Sequence, residues 1–185
     1  DYALDDRQTF ELTIPAQIAC KVIANSQEDL FILRTILKSI SGKDQFLDIE
    51  LKVMSRIDRV YLEETDVLIL QDPKYLSASA IESIKRFLGE GGSVLWFAGK
   101  NSENIDSITS SNLKLPEFIG KVQLEGESYF SVEVRDRENP ILQELNLRDI
   151  NSALPQVFIY NSVEKQSYHK MILSLNNDDP FFIEI

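Results

Sequence analysis

Three short, mostly apolar runs separated by amphipathic stretches constrain this chain more than any other feature. They are Ile18-Ala19-Cys20-Lys21-Val22-Ile23-Ala24, Val67-Leu68-Ile69-Leu70 and Ser93-Val94-Leu95-Trp96-Phe97-Ala98. A strand with one wet face alternates apolar and polar residues. Runs this continuous belong to strands covered on both faces, as in a parallel sheet between helix layers. The intervening stretches fit that arrangement. Ser26-Gln27-Glu28-Asp29 supplies a helix cap with an acidic residue three positions on, and Leu30, Leu33, Leu37 and Ile40 then repeat at helical spacing as far as Gly42. Ser79 to Leu88 places Ile81, Ile84, Phe87 and Leu88 on one helix face, closed by Gly89 and the Gly91-Gly92 pair. Between the first helix and the second apolar run, Phe46 to Met54 alternates (Leu47, Ile49, Leu51, Val53), which predicts a strand near a sheet edge. The order predicts an α/β fold: a doubly wound, mostly parallel sheet in a three-layer arrangement of the flavodoxin or Rossmann kind.

The character changes after Gly99. Residues 99–116 are polar and read as a long loop. Lys121–Leu124 and Tyr129–Val134 flank Glu125-Gly126-Glu127 as a hairpin, and Glu138–Leu147 reads as a short helix. Gln156–Tyr160, His169–Leu175 and Phe181–Ile185 are further strands, with Asn176 to Pro180 as the turn between the last two. We expect a β-rich C-terminal extension of the same sheet. Residues 1–16 form a lead-in segment and 17–185 a single domain. A beginning at Asp1-Tyr2-Ala3 and an end on an apolar strand read as a piece of a longer protein.

Composition narrows the chemistry. The 185 residues, 43% hydrophobic and 26% charged, suit one globular fold with one sizeable core. A net charge of −11 argues against non-specific binding to nucleic acid or to an anionic membrane, which require a positive field. One Cys and one His exclude an internal disulfide and a Cys/His zinc site, so no metal or other cofactor is expected. No apolar run reaches the length of a membrane-spanning helix.

In open parallel sheets ligands bind beyond the carboxyl ends of the strands. That rule selects Asn25 and Ser26 after the first strand, Asp72 and Pro73 after the third, and Gly99, Lys100 and Asn101 after the fourth. Each has a plainer role beside the functional one. Ser26 is a helix cap first, and Asn25 is common turn chemistry as well as a ligand-binding amide. Asp72 before a proline suits a phosphoacceptor or a metal ligand and equally an Asx-type turn. Lys100 could meet an anion or simply be solvated. Cys20 lies inside an apolar strand, whereas a nucleophile belongs on an exposed strand-to-helix turn. Nothing marks His169 as a general base. The phosphate-binding glycine motifs and the G-x-S-x-G elbow are absent.

Thr65-Asp66-Val67-Leu68-Ile69-Leu70, then Leu76-Ser77, a helix, and Phe87-Leu88-Gly89-Glu90-Gly91-Gly92-Ser93-Val94-Leu95-Trp96-Phe97 resemble the class I glutamine amidotransferase-like fold. The branch most similar is the domain of membrane-anchored bacterial aerotolerance (Bat) proteins, with the sugar-utilisation ThuA-like branch as a neighbour. Leu4 to Phe10, Glu138-Asn139-Pro140-Ile141-Leu142 and the Leu173–Phe182 strand turn resemble further parts of the Bat pattern. In true amidotransferases a nucleophilic Cys occupies the elbow after the strand that follows the Gly pair. Here the elbow reads Ala98-Gly99-Lys100-Asn101. Without that thiol the acyl-enzyme step has no starting group, so no catalytic residue carries over.

The resemblance then implies a catalytically silent binding or assembly domain, extracytoplasmic in a protein of the bacterial inner membrane. Its partners would be proteins, and membrane contact would come through parts of the parent outside this chain. The alternative is a ThuA-like enzyme acting on a carbohydrate or other small molecule through the cleft at Asn25, Asp72 and Asn101. A receiver-like phosphoacceptor using Asp72 lacks the acidic pair after the first strand, where Asn25-Ser26 stands.

Overall fold

The computed structural model describes residues 17–41, 46–53, 57–126, 128–143 and 154–185. Its first half alternates strand and helix: β1 (Ile18–Ala24), α1 (Gln27–Ser41), β2 (Leu47–Val53), α2 (Arg59–Leu62), β3 (Val67–Gln71), α3 (Ala78–Gly89) and β4 (Ser93–Phe97). The four strands form one parallel sheet in the order β2-β1-β3-β4, with Val22 opposite Leu51 on one side and Ile69 on the other. A parallel pair needs a crossover between its strands, and a helix supplies each one.

Because successive side chains on a strand point to opposite faces, β1, β3 and β4 each feed two cores, whereas β2 turns Leu47, Ile49, Leu51 and Val53 to one core and Asp48, Glu50 and Lys52 away from it. Ile23, Leu68 and Leu70 face α2 and α3, where Leu62, Ile81, Ile84 and Phe87 complete the layer. Cys20, Val22, Ala24 and Ile69 face Leu30, Leu33 and Leu37 of α1. Leu30, Leu68, Leu70 and Ile84 are essentially inaccessible to water. Burying each such side chain contributes about 1.5–3 kcal/mol. The two-sided burial predicted from the apolar runs is present for β1 and β3, whereas β4 is only partly covered, with Phe97 39% exposed at its end.

The helix boundaries follow their local chemistry. The Ser77 hydroxyl accepts from the Ala80 N–H at 3.2 Å and starts α3. At its other end Gly91 takes φ +97°, and the Gly92 N–H returns to the Phe87 carbonyl at 2.9 Å. A Cβ at Gly92 would run into the Phe87 ring, so this glycine lets the chain fold tightly back under the helix.

The second half departs from expectation in three ways. Residues 99–116 are not a plain loop: a 3₁₀ turn (Ser102–Asn104) and a helix, α4 (Ser107–Leu113), lie within them. Asp106 caps that helix through the Thr109 N–H at 2.8 Å. Low apolar content hid a helix whose start is fixed by a cap. Nor do Lys121–Leu124 and Tyr129–Val134 pair as a hairpin. β5 (Glu117–Gln123) pairs antiparallel with β8 (Ile159–Glu164), whereas β6 (Phe130–Val134) pairs with β7 (Gln156–Val157) and β9 (Lys170–Leu175). Turn residues at 125–127 signal a reversal but do not choose the partner strand.

Finally, the late strands do not extend the parallel sheet. They form a curled antiparallel sheet in the order β10-β9-β6-β7, where β10 is Pro180–Glu184, and a separate β5-β8 pair. A further parallel strand beside β4 would need a crossover helix laid on the sheet. Instead α4 packs on α3, and the strands close a small core of their own around Phe130, Val132 and Leu175. Of the predicted helix Glu138–Leu147, Pro140–Gln143 is helical (α5) and 144–147 lie outside the described residues, as does the lead-in 1–16.

Candidate functional site

Four of the seven residues selected at the strand ends come together, and Pro73 is buried next to them with no polar side chain to contribute. Asp72 immediately follows β3. Its φ of +46° is a left-handed conformation, rare for a residue with a Cβ and costing about 1–3 kcal/mol. The neighbours hold it there. The Asp72 N–H donates to the Phe97 carbonyl at 2.8 Å, and the Asp72 carbonyl accepts from the Asn25 side-chain amide at 2.5 Å. Its carboxylate is 9% exposed and accepts from the Asn101 N–H at 3.0 Å and from the Asn101 side-chain amide at 2.8 Å. Among the described residues no cation pairs with it; its partners are amides.

Gly99 is what allows the carboxylate to sit against the backbone of the loop after β4. A Cβ there would lie 2.6 Å from the Asp72 Cγ and 2.7 Å from Oδ2. Asn25 completes the tie between loops, its Oδ1 accepting from the Lys74 N–H at 3.3 Å. A fifth member comes from the other half of the molecule. Asn161 on β8 donates from its side-chain amide to the Gly99 carbonyl at 2.6 Å. Sequence reasoning missed it, because Asn161 lies 62 positions from Gly99 in an unremarkable strand.

The remaining two candidates do not join the cluster. The Ser26 hydroxyl donates to the Asp29 carboxylate at 2.8 Å and accepts from the Asp29 N–H at 3.2 Å, a reciprocal cap at the start of α1. Lys100 is exposed. Cys20 is buried under α1, and burial pushes its thiol above the ordinary range. That is the reverse of what a nucleophile requires. The His169 Nδ1 accepts from the Gln166 N–H at 3.0 Å, which leaves Nε2 to donate to the Lys114 carbonyl at 2.9 Å. Both ring nitrogens hold local structure.

The arrangement is thus a buried carboxylate held by the backbone and side-chain amides of Asn101, with the Asp72 carbonyl tied to Asn25 and the Gly99 carbonyl to Asn161. It can accept a hydrogen bond or a proton from a hydroxyl-bearing molecule. Among the described residues no group of three or more His, Cys, Asp or Glu side chains could hold a metal ion. No described helix is long and apolar enough to cross a membrane.

No known protein family and no curated protein matches the sequence. Solved structures do match the fold. A protein described as ThuA-like from Bacteroides uniformis aligns with a TM-score of 0.60 over 96% of this chain and 78% of its own, at 15% identity. A second, also described as ThuA-like, from Parabacteroides merdae aligns at 0.59 over 91% and 75%, with 10% identity. At such identities the likeness concerns the fold, which is glutamine amidotransferase-like of the ThuA kind. It overturns the expectation of a silent assembly domain of the Bat type: the neighbours lie in the branch named as the alternative, and none points to aerotolerance proteins. The Gly-Gly strand unit quoted for that expectation is common to many doubly wound folds and could not separate the two, and Leu4 to Phe10 lie outside the described residues.

Proposed function

We propose that this chain is a ThuA-like domain that binds and acts on a small hydroxyl-rich molecule of the carbohydrate class, at the carboxyl ends of β1, β3 and β4. The observation that carries the reading is the Asp72 carboxylate, buried without a cation partner among the described residues and fixed by Asn101 in a backbone conformation that costs energy to keep. Backbone strain clusters at functional sites, and in open parallel sheets ligands bind beyond the strand ends, where Asp72 stands. The solved structures that share the fold are described as ThuA-like, which favours this reading over an assembly domain, and the carbohydrate class rests on the sequence resemblance to that branch.

In this reading Asp72 accepts a hydrogen bond or a proton from a ligand hydroxyl, and Asn25 and Asn101 orient it. The elbow Ala98-Gly99-Lys100-Asn101 supplies no thiol, so this reading includes no thiol-based acyl-enzyme step. The test is a saccharide and polyol panel read both by thermal shift and by product formation. We expect a hit that raises Tm in the wild type. In Asp72→Asn, which keeps the shape and removes the charge, turnover should fall by about 10²-fold or more, the lower range for loss of a general base, while the thermal shift persists. A panel with no shift and no product in the wild type sinks the reading.

A further inference from the structure

Strand β8 reaches the candidate site with little support from its own sheet. Among the described residues it pairs with β5 alone, as a ribbon separate from both larger sheets. A two-stranded ribbon is marginal by itself in water. Its ladder is also irregular near Asn161: Ile119 is an extra residue of β5 between the Phe118–Val163 and Gly120–Ser162 pairs. Yet Asn161 holds the Gly99 carbonyl at 2.6 Å, two positions before the Asn101 that holds the Asp72 carboxylate. The ladder alone is a weak hold on such an anchor.

The stronger hold comes from the other face of the strand. Successive side chains on a strand point to opposite faces. Asn161 meets the loop after β4, and its neighbours Tyr160 and Ser162 both meet Asp179. A single oxygen, Asp179 Oδ2, accepts from the Tyr160 hydroxyl at 2.5 Å and from the Ser162 hydroxyl at 3.2 Å, so it clasps β8 on either side of Asn161. Asp179 belongs to the turn between β9 and β10, and that turn is itself fixed. The Asn176 N–H donates to the Ser131 carbonyl at 2.9 Å, and Asp178 pairs with Arg135, whose Nε donates to the buried Ser174 hydroxyl at 2.6 Å. The Asn177 side-chain amide donates to the Tyr160 hydroxyl at 2.7 Å, which leaves the phenol proton for Asp179. Burial, and then the hydrogen bond to Asp179, push the Tyr160 phenol up and keep it a donor at neutral pH.

We infer that Asp179 is a positioning residue for the candidate site, fixing β8 through Tyr160 and Ser162 so that Asn161 holds the loop that aims Asn101 at Asp72. Its carboxylate bonds to β8 and acts on the loop only through that strand. Any effect on ligand binding rests on the saccharide site proposed above.

Amide hydrogen exchange followed by NMR tests the inference, with the Asn101 N–H that donates to the Asp72 carboxylate as reporter and the amides of β1 and β3 as internal reference. In Asp179→Ala we expect the Asn101 amide to exchange about tenfold faster, the scale of one lost hydrogen bond, with the reference amides unchanged. Tyr160→Phe/Ser162→Ala removes both hydroxyls and leaves Asp179 in place; it should do the same, and it decides the matter if Asp179→Ala fails to fold. Adding Asn161→Ala should change little further, because the substitutions break one link. Asp179→Asn keeps an acceptor oxygen and should recover most of the protection. An Asn101 amide that exchanges at the wild-type rate in these variants overturns the inference. So does faster exchange shared equally by β1 and β3, which would assign Asp179 to general stability. A saccharide that binds the wild type should show a higher KM in Asp179→Ala. If no saccharide binds the wild type, the proposed function falls, and the exchange rates still decide the role of Asp179.

Discussion

At Asp72, backbone and side chain are held by different partners, and that separation makes the site sensitive to single atoms. The carbonyl is fixed by Asn25 and the carboxylate by Asn101, while Gly99 leaves room for the carboxylate to lie against its loop. Gly99→Ala places a methyl group within 2.6 Å of the Asp72 Cγ. We expect a Tm loss corresponding to about 1–3 kcal/mol, the range for overpacking a filled site. Loss of saccharide binding should accompany it, because the carboxylate must leave its amides. An unchanged melting curve would show that the loop yields freely. Elsewhere, burial and then the charge of Glu50 push the Tyr61 phenol up to about 12, with Lys21 and Lys52 stacked over its ring at 4.6 and 4.4 Å. A raised folded-state pKa gives stability that is complete below the unfolded value and is lost as pH rises through the folded one. Wild type should therefore lose stability relative to Tyr61→Phe between pH of about 10 and about 12. Ultraviolet titration of the phenol, compared between the two proteins, checks the assignment.

Among the elements, those with two-sided burial or a clear cap were readable in the sequence, and those that depend on a distant partner were not. β1 spans Ile18–Ala24 as its apolar run predicts, and α3 begins at Ala78 behind Ser77. A 3.6-residue repeat or a continuous apolar run states the burial of its own segment, so these elements need no knowledge of their neighbours. The four-residue α2 is too short to show a period, yet Asp58 caps it through the Tyr61 N–H at 2.9 Å. α3 is the element whose packing is most easily tested. Ile84 is 1% exposed between Leu68, Leu70 and the neighbouring helix. Ile84→Ala should lower the unfolding free energy by about 2–5 kcal/mol, measured as a shift in the urea midpoint with unchanged slope.

For the molecule as a whole, one hydrogen bond links its halves at the candidate site. The antiparallel strands do not widen the parallel sheet; β8 reaches back and Asn161 holds the Gly99 carbonyl. Asn161→Ala should cost about 0.5–1.5 kcal/mol of stability, the worth of one ordinary hydrogen bond. It should also raise the KM for the saccharide that binds, since the loop carrying Asn101 loses its anchor from outside the parallel sheet. An affinity equal to wild type would confine Asn161 to structure. The division of labour between sequence and fold is visible here. The sequence by itself determined the α/β order, the burial of β1 and β3 on both faces, the Ser26 cap, and the gathering of Asn25, Asp72, Gly99 and Asn101 at one edge, since each follows from local periodicity, cap chemistry or the rule that parallel strands end together. The tertiary structure alone decided which late strands pair, that Asn161 joins the site, and that Ser26 and Lys100 stay outside it. Those outcomes depend on long-range contacts between segments whose local patterns are compatible with several partners, and only the packing of the whole chain chooses among them.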